Sequence, residues 1–196
     1  MSELNCLCVY CGSSPGAKPD YVASAERLAE SMAEQNISLV YGGAHVGIMG
    51  AVADRLMALG GRAVGVIPES LVEMEVAHQG LTELHVVADM HERKAKMAEL
   101  ADGFISLPGG LGTLEEMFEM LTWAQLGMHS KPCGLLNVVG FYDGLLSFLD
   151  NACQEAFMLP AHRDLLIAET EPKDLIARMK AYEAQSVSKL DWRKLQ

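Results

Sequence analysis

Residues 103–126 read GFISLPGGLGTLEEMFEMLTWAQL, an apolar run followed by a glycine-rich turn and an amphipathic segment. The apolar run GFIS predicts a buried β-strand, which ends in a turn of proline and glycines. Residues 113–126 then carry apolar side chains at helical spacing, which predicts a helix. A buried strand that passes through a glycine turn into a helix is the repeating unit of α/β proteins.

The same alternation of short apolar runs and amphipathic stretches extends along the whole chain. Residues 69–80 are predicted to be a loop with a helical turn. Since the predicted strands are continuously apolar, helices should cover both faces of a mostly parallel sheet. We expect a single domain over residues 1–185 and a C-terminal tail over residues 186–196. Further strands are predicted at CLCVYCG, ISLVYGG, AVGVIP, LHVVAD, PCGLLNV and residues 164–168, and further helices at residues 19–35, 47–59, 90–100, 142–156 and 172–185.

Glycine-rich turns follow three of the predicted strands, at Gly12-Ser13-Ser14, at Gly42-Gly43 and at residues 109–113. The carboxyl ends of parallel strands lie on one edge of a sheet, so these turns should gather there. A glycine turn before a helix lets backbone N–H groups approach an anion, and three such turns favour a phosphate-bearing ligand. The turns match neither the dinucleotide fingerprint nor the P-loop. The alternative is that the glycines only turn the chain tightly.

Glu116 has two interpretations from the residues alone. Thr113 and Glu116 have the spacing of a capping box, in which Thr113 begins the helix and Glu116 satisfies a backbone N–H. In that interpretation Glu116 only stabilises its own helix. Alternatively, one of Glu115 and Glu116 faces a ligand, because adjacent residues lie about 100° apart on a helix. The sequence pattern leaves both interpretations open.

Other charged residues lie near the same predicted edge. Arg93 and Lys94, in MHERK, could clamp a phosphate or could form an ordinary solvated helix face. Glu69, Glu73 and Glu75 follow the third strand and could contact sugar hydroxyls or be exposed loop charges.

The bulk composition excludes several classes of protein. With 196 residues, half of them hydrophobic, the chain has a globular composition, and its net charge of −11 argues against non-specific nucleic-acid binding. No apolar run is long enough to span a bilayer, and the N-terminus is not typical of a signal peptide. With five cysteines, an odd number, and no export signal, we expect a reduced, cytoplasmic setting. Cys8-x-x-Cys11 has the spacing of a redox or metal-binding pair, but it lies in an apolar run and no second cysteine or histidine pair accompanies it. We therefore expect buried apolar cysteines and no metal.

Several motifs together resemble one known family. The stretch PGGLGTLEE fits the pattern P-G-G-x-G-T-x-x-E, and CVYCGSSPG, LVYGGAHVGIMG, ADMHERKAKMAELADGF and GFYDGLLSFLDNA accompany it. On these motifs the chain resembles the LOG (lonely guy) family of cytokinin-activating phosphoribohydrolases over almost its whole length. A leucine stands at the x of the motif, where plant members often carry tyrosine.

The resemblance implies a Rossmann-like three-layer α/β/α fold and a homodimer. It implies an enzyme that hydrolyses the N-glycosidic bond of N6-modified adenosine 5′-monophosphates to free base and ribose 5-phosphate, without a cofactor. Many bacterial members also accept AMP, so AMP nucleosidase activity is a further expectation. The family was long labelled as lysine decarboxylases, but the sequence offers no convincing site for pyridoxal phosphate. The alternative is a nucleotide sensor without turnover.

The resemblance also implies roles for individual residues. Arg93 and Glu116 match the catalytic pair, and Glu75 matches an acidic residue that contacts the nucleotide. Lys94, Glu115 and Thr122 match further positions in the pocket. The glycine turns supply the remaining substrate-binding positions: Gly12, Ser13, Ser14, Gly43, Pro108, Gly109, Gly110, Leu111, Gly112 and Thr113.

The chemistry of such a reaction fits these residue types. Breaking an N-glycosidic bond builds positive charge on the ribose, which a carboxylate beside C1′ stabilises. That carboxylate must be ionised, and a position in the first turn of a helix would favour the ionised form. The resemblance favours Glu116 as this carboxylate, and Arg93 or a water could assist departure of the base.

Overall fold

A parallel β-sheet runs through the centre of the protein. The computed structural model describes residues 4–72 and 77–184, and within them seven strands pair in the order β4-β3-β2-β1-β5-β6-β7, every pair parallel. The mostly parallel sheet predicted from the sequence is confirmed. The strands are β1 (Cys6–Tyr10), β2 (Ser38–Tyr41), β3 (Ala63–Pro68), β4 (Glu83–Val87), β5 (Gly103–Ser106), β6 (Cys133–Leu136) and β7 (Leu166–Glu169).

Helices connect successive strands. Most bounds agree with the sequence prediction to within about two residues, but the short helix α7 was not predicted and α8 ends several residues earlier than expected. A 3₁₀ turn at Val138–Gly140 links β6 to the next helix. The helices are α1 (Pro19–Glu34), α2 (Gly47–Ala58), α3 (Glu69–Val72), α4 (Met90–Leu100), α5 (Leu111–Gln125), α6 (Asp143–Gln154), α7 (Pro160–Arg163) and α8 (Pro172–Lys180).

The helices form a layer on each face of the sheet. On one face α1, α2 and α8 bury apolar side chains such as Leu28, Val52 and Ile176 against the strands. On the other face α4 and α5 contribute Met97 and Met120 to a second core. This three-layer arrangement explains the continuous apolar runs of the central strands, because both faces are covered.

The edge strand β4 departs from that pattern. Two of its apolar side chains are exposed, Leu84 to 37% and Val86 to 51%. The strand at the edge of the sheet is therefore less fully covered than the central strands. Among the described residues, none of the helices is long and apolar enough to cross a membrane.

The strand order reverses between β1 and β5, and this reversal positions the site. The chain leaves these adjacent strands toward opposite sides, which opens a crevice beyond their carboxyl ends. Two hydrogen bonds fix the turns there: the Gly12 amide donates to the Pro108 carbonyl (3.1 Å), and the Ile48 amide donates to the Gly12 carbonyl (3.2 Å). The β1, β2 and β5 turns therefore meet on one edge of the sheet, as predicted.

Candidate functional site

A cleft of about 300 Å³ opens at this reversal point, and we call it the glycine cleft. Its walls combine backbone from the glycine turns with side chains of α4 and α5. Three methionines, Met49, Met90 and Met97, also line the cleft. The sequence interpretation did not single them out, because methionine at helical spacing more often belongs to the core. The lining residues are Val9, Tyr10, Cys11, Gly12, Ser13, Gly42, Met49, Met90, Arg93, Met97, Gly110, Leu111, Gly112, Thr113, Glu115 and Glu116.

Helix α5 begins at Leu111 rather than at Thr113, which changes the interpretation of Glu116. Gly110 is the N-cap, and the Leu114 amide donates to its carbonyl at 3.1 Å. Glycine is one of the residue types accepted at an N-cap, and the Gly110 backbone is extended there. The predicted capping box is therefore wrong: Thr113 already lies within the first turn, and Glu116 lies beyond it.

Glu116 is free of the capping role and is buried, with 8% of its surface exposed. Burial raises the pKa of its carboxyl to about 7, because a desolvated carboxylate is disfavoured; Arg93 opposes this rise and Glu115 adds to it. The expectation that the helix start would favour the ionised form is therefore wrong. The carboxyl titrates near neutral pH, which is the range suited to a group that exchanges protons during catalysis.

Arg93 is the cation nearest to this carboxyl. Its Nη2 lies 3.9 Å from Glu116 Oε1, so the two groups attract each other without a direct hydrogen bond. Elsewhere the guanidinium is held: Nε donates to the Val66 carbonyl at 3.1 Å, and Nη1 lies 3.6 Å from the Met90 sulfur. Arg93 and Glu116 both line the glycine cleft, with no hydrogen bond joining their charged groups.

Lys94, the residue after Arg93, contacts α5 and does not face the cleft. It is buried, and its Nζ donates to Glu115 Oε1 at 2.5 Å and to Glu119 Oε1 at 3.1 Å. These bonds tie α4 to α5. Lys94 does not line the glycine cleft, so the structure does not bring it to the predicted phosphate position.

A second cleft of about 330 Å³ adjoins the first on the other side of the β1 and β5 turns, and we call it the apolar cleft. Ser14, Pro108 and Gly109 line it, together with Gly12, Ser13 and Gly110, which line both clefts. The sequence interpretation missed its apolar walls, Tyr21, Ile48 and Phe141.

Two buried side chains, Tyr142 and Thr113, hold the turn between β5 and α5 in place. The buried Tyr142 hydroxyl donates to the Leu107 carbonyl at 2.7 Å, immediately before the glycines. Thr113 is also buried, and its side chain fills the space beside Gly109: a β-carbon on Gly109 would lie 2.1 Å from the Thr113 hydroxyl oxygen. Gly109 is therefore required by the close approach of Thr113.

Besides Lys94, two of the predicted substrate-binding residues lie outside both clefts. Gly43 lines neither cleft; it turns the chain with a φ of 75°, and its carbonyl accepts from the His78 amide. Thr122 donates to the Phe118 carbonyl and lines a separate, small cleft between α5, α6 and α7. Glu75 lies outside the described residues.

The fold and the cleft define a class: a Rossmann-like three-layer α/β/α protein with its ligand cleft at the strand-order reversal. The solved structure of the molybdenum cofactor binding protein from Rippkaea orientalis has the same fold (TM-score 0.68, 21% identity, 92% of this chain and 98% of that chain). The molybdenum cofactor carrier protein from Chlamydomonas reinhardtii is equally similar (TM-score 0.68, 18% identity, 91% and 98%). At these identities the likeness concerns the fold.

Sequence comparison identifies the family. A family model described as "Possible lysine decarboxylase" matches residues 49–179. Cytokinin riboside 5′-monophosphate phosphoribohydrolase LOG7 from Arabidopsis thaliana is 46% identical, over 97% of this chain and 89% of its own length. Cytokinin riboside 5′-monophosphate phosphoribohydrolase LOG from Oryza sativa subsp. japonica is also 46% identical, over 97% and 79%. The chain belongs to the LOG family.

Proposed function

We propose that this protein hydrolyses the N-glycosidic bond of cytokinin riboside 5′-monophosphates, releasing the free base and ribose 5-phosphate. The observation that carries the proposal is the buried Arg93–Glu116 pair beside the glycine turn that begins α5. The curated relatives, at 46% identity over nearly the full chain, carry the name of this activity. AMP, which shares the phosphoribosyl group, is proposed as a second substrate.

The 5′-phosphate is assigned to the start of α5. The backbone N–H groups of the first helical turn have no partner within the helix, and the helix dipole places partial positive charge there. Gly110 and Gly112 are exposed with open space around them, so a phosphate can approach their backbone closely. The exposed Leu111 contributes its amide to the same turn.

The sugar carbon C1′ is assigned to the neighbourhood of Glu116. The phosphate held at the helix start fixes the ribose in register with this carboxyl, about one turn further along α5. As the C1′–N9 bond lengthens, the ribose gains oxocarbenium character, which the ionised carboxylate stabilises. Water then adds to C1′, and Glu116, with its pKa near 7, accepts the proton that this water loses.

The departing base is assigned to the side of Arg93. The electron pair of the C1′–N9 bond leaves with the base, and the guanidinium lowers the free energy of that negative charge until a solvent proton neutralises it. Met49, Met90 and Met97 form an apolar wall beside Arg93 that suits a purine with an apolar substituent. Contacts from Lys94, Glu115, Thr122 and Glu75 to the nucleotide stay predictions.

The decarboxylase description of the family model does not fit the clefts. A pyridoxal-phosphate enzyme requires a lysine that forms a Schiff base. Among the described residues that line the glycine cleft and the apolar cleft, the cation is Arg93 and none is a lysine. Lys94, the lysine adjacent to it, is engaged by two glutamates.

We further propose that the protein is a cytoplasmic homodimer. Leu126 and Met128, which follow the last turns of α5, are 52% and 63% exposed, and burying such apolar surface favours association. Light scattering coupled to size exclusion should give about twice the 21.2 kDa chain mass. A monomer at micromolar concentration would contradict the dimer.

The function is tested by product analysis. Purified protein is incubated with isopentenyladenosine 5′-monophosphate and, separately, with AMP, and the products are separated by chromatography. We expect free base and ribose 5-phosphate in equal amounts, with turnover reduced roughly 10²–10⁴-fold in Glu116→Gln. The matched control is Glu26→Gln, an exposed glutamate on α1, which should retain full activity. Tight binding of intact nucleotide without product would instead support a sensor.

A further inference from the structure

The glycine turn after β2 has a different structural role from the turn that begins α5. Gly42 is buried and lines the glycine cleft, but what lies closest to it is the side chain of Arg93. A β-carbon built on Gly42 would lie 2.0 Å from Arg93 Nη2 and 3.3 Å from its Cζ. Contacts that short do not occur, so the guanidinium occupies the space that any side chain at residue 42 would need.

The nitrogen concerned is the one that faces the candidate catalytic carboxyl. Nη2 is the atom of Arg93 that lies 3.9 Å from Glu116 Oε1, while Nε is fixed by the Val66 carbonyl on the opposite side. The backbone of Gly42 does not adopt a positive φ, so glycine is not required there for the turn itself. What residue 42 requires is the absence of a β-carbon.

We propose that Gly42 is a positioning residue, whose missing side chain leaves the recess that holds the Arg93 guanidinium against Glu116. That this recess exists follows from the distances around Gly42 alone, whereas its effect on catalysis rests on the proposed function. Gly42 acts through Arg93 and does not serve as part of the phosphate cradle.

The test is Gly42→Ala, with Gly144→Ala as the matched control. Gly144 lies in the first turn of α6, and a β-carbon there meets nothing within 4 Å. We expect Gly42→Ala to lower kcat at least tenfold and to shift the pH at which kcat/KM is half-maximal, because Arg93 acts on the pKa of Glu116. Gly144→Ala should match the wild type. Unchanged kcat and pH profile in Gly42→Ala would overturn the proposal.

A thermal double-mutant cycle tests the recess without any enzyme assay. Gly42→Ala should lower the unfolding midpoint more in the wild-type background than in an Arg93→Ala background, where the guanidinium no longer occupies the space. The Met49 sulfur would lie 3.2 Å from the added carbon in both backgrounds, so its effect cancels in the difference between the two shifts of the midpoint. The same loss in both backgrounds would overturn the proposal, even if the wild type cleaves no nucleotide.

Discussion

Arg93 and Lys94 are adjacent on α4, both are buried, and both face carboxylates of α5, yet their surroundings differ. Lys94 makes short hydrogen bonds to Glu115 and Glu119, and Glu115 is half exposed. Arg93 stands 3.9 Å from a carboxyl that is itself buried. The hydrogen-bonded Lys94 pair stabilises the packing of α4 against α5. The Arg93–Glu116 pair lines the cleft without a direct hydrogen bond, so both groups can still interact with a substrate.

The largest expected effect comes from removing the cation of the separated pair. Arg93→Ala should lower kcat/KM roughly 10²–10³-fold, the magnitude typical of losing one electrostatic contact to a transition state. Steady-state kinetics with isopentenyladenosine 5′-monophosphate measures the loss, and Arg93→Lys should recover part of it. If Arg93→Ala turns over at the wild-type rate, Arg93 is not part of the chemistry.

A second prediction concerns pH and sharpens the role of Glu116. Since its pKa is about 7 in the folded protein and the carboxylate is the active form, kcat/KM should fall about tenfold per pH unit below 7. In Arg93→Ala the decline should begin at higher pH, because the cation that lowers the pKa of Glu116 is gone. The substrate phosphate also titrates near pH 6, but its pKa does not depend on Arg93, so this shift separates the two groups. A half-maximal pH that stays unchanged in Arg93→Ala would contradict the assignment.

The same pKa has a consequence for stability. The neutral carboxyl is favoured in the folded state, so the contribution of Glu116 is most favourable below its unfolded pKa near 4.5. That contribution is lost as pH rises through about 7, an effect of about 3 kcal/mol at most. Glu116→Gln should therefore become more stable relative to the wild type between pH 4.5 and 7.5. Chemical denaturation at several pH values measures the difference, and a constant difference would contradict it.

The smallest effect on turnover is expected at the satisfied pair. Lys94→Met keeps most of the apolar part of the side chain but removes its hydrogen bonds to Glu115 and Glu119, which should cost about 1–3 kcal/mol of unfolding free energy. Turnover should change by less than a few fold, because Lys94 does not line the cleft. A large loss of kcat with normal stability would place Lys94 in the chemistry instead.

Much of this arrangement could be predicted from the sequence, and the exceptions have physical causes. Apolar runs alternating with amphipathic stretches predicted the α/β order, because burial imposes those patterns. The start of α5 was misplaced because Thr113 and Glu116 have capping-box spacing, while the actual N-cap, Gly110, carries no side-chain signal. Edge strand β4 resembled a core strand because sequence alone does not show which strand has one neighbour.

The sequence could not predict that Arg93 lines the cleft while Lys94 does not, for a different reason. Both are cations in the first turns of α4, and which one faces the cleft depends on how that helix is rotated against the sheet. Motif resemblance placed both residues in the pocket, whereas the geometry divides them. The sequence predicts that Gly42 belongs to a phosphate-binding turn, because only the structure shows that the Arg93 guanidinium fills the space beside it.

The most direct test compares the two adjacent glutamates of α5 under single-turnover conditions. Glu115→Gln and Glu116→Gln remove the same charge one residue apart. Both glutamates line the glycine cleft, but Glu115 is bonded to Lys94, whereas Glu116 faces Arg93 without a hydrogen bond. We predict that, with excess enzyme and isopentenyladenosine 5′-monophosphate at pH 8, Glu115→Gln releases base within a few fold of the wild-type rate. Glu116→Gln should be slower by roughly 10²–10⁴-fold. Equal losses in the two variants, or a greater loss in Glu115→Gln, would contradict the assignment of the chemistry to Glu116.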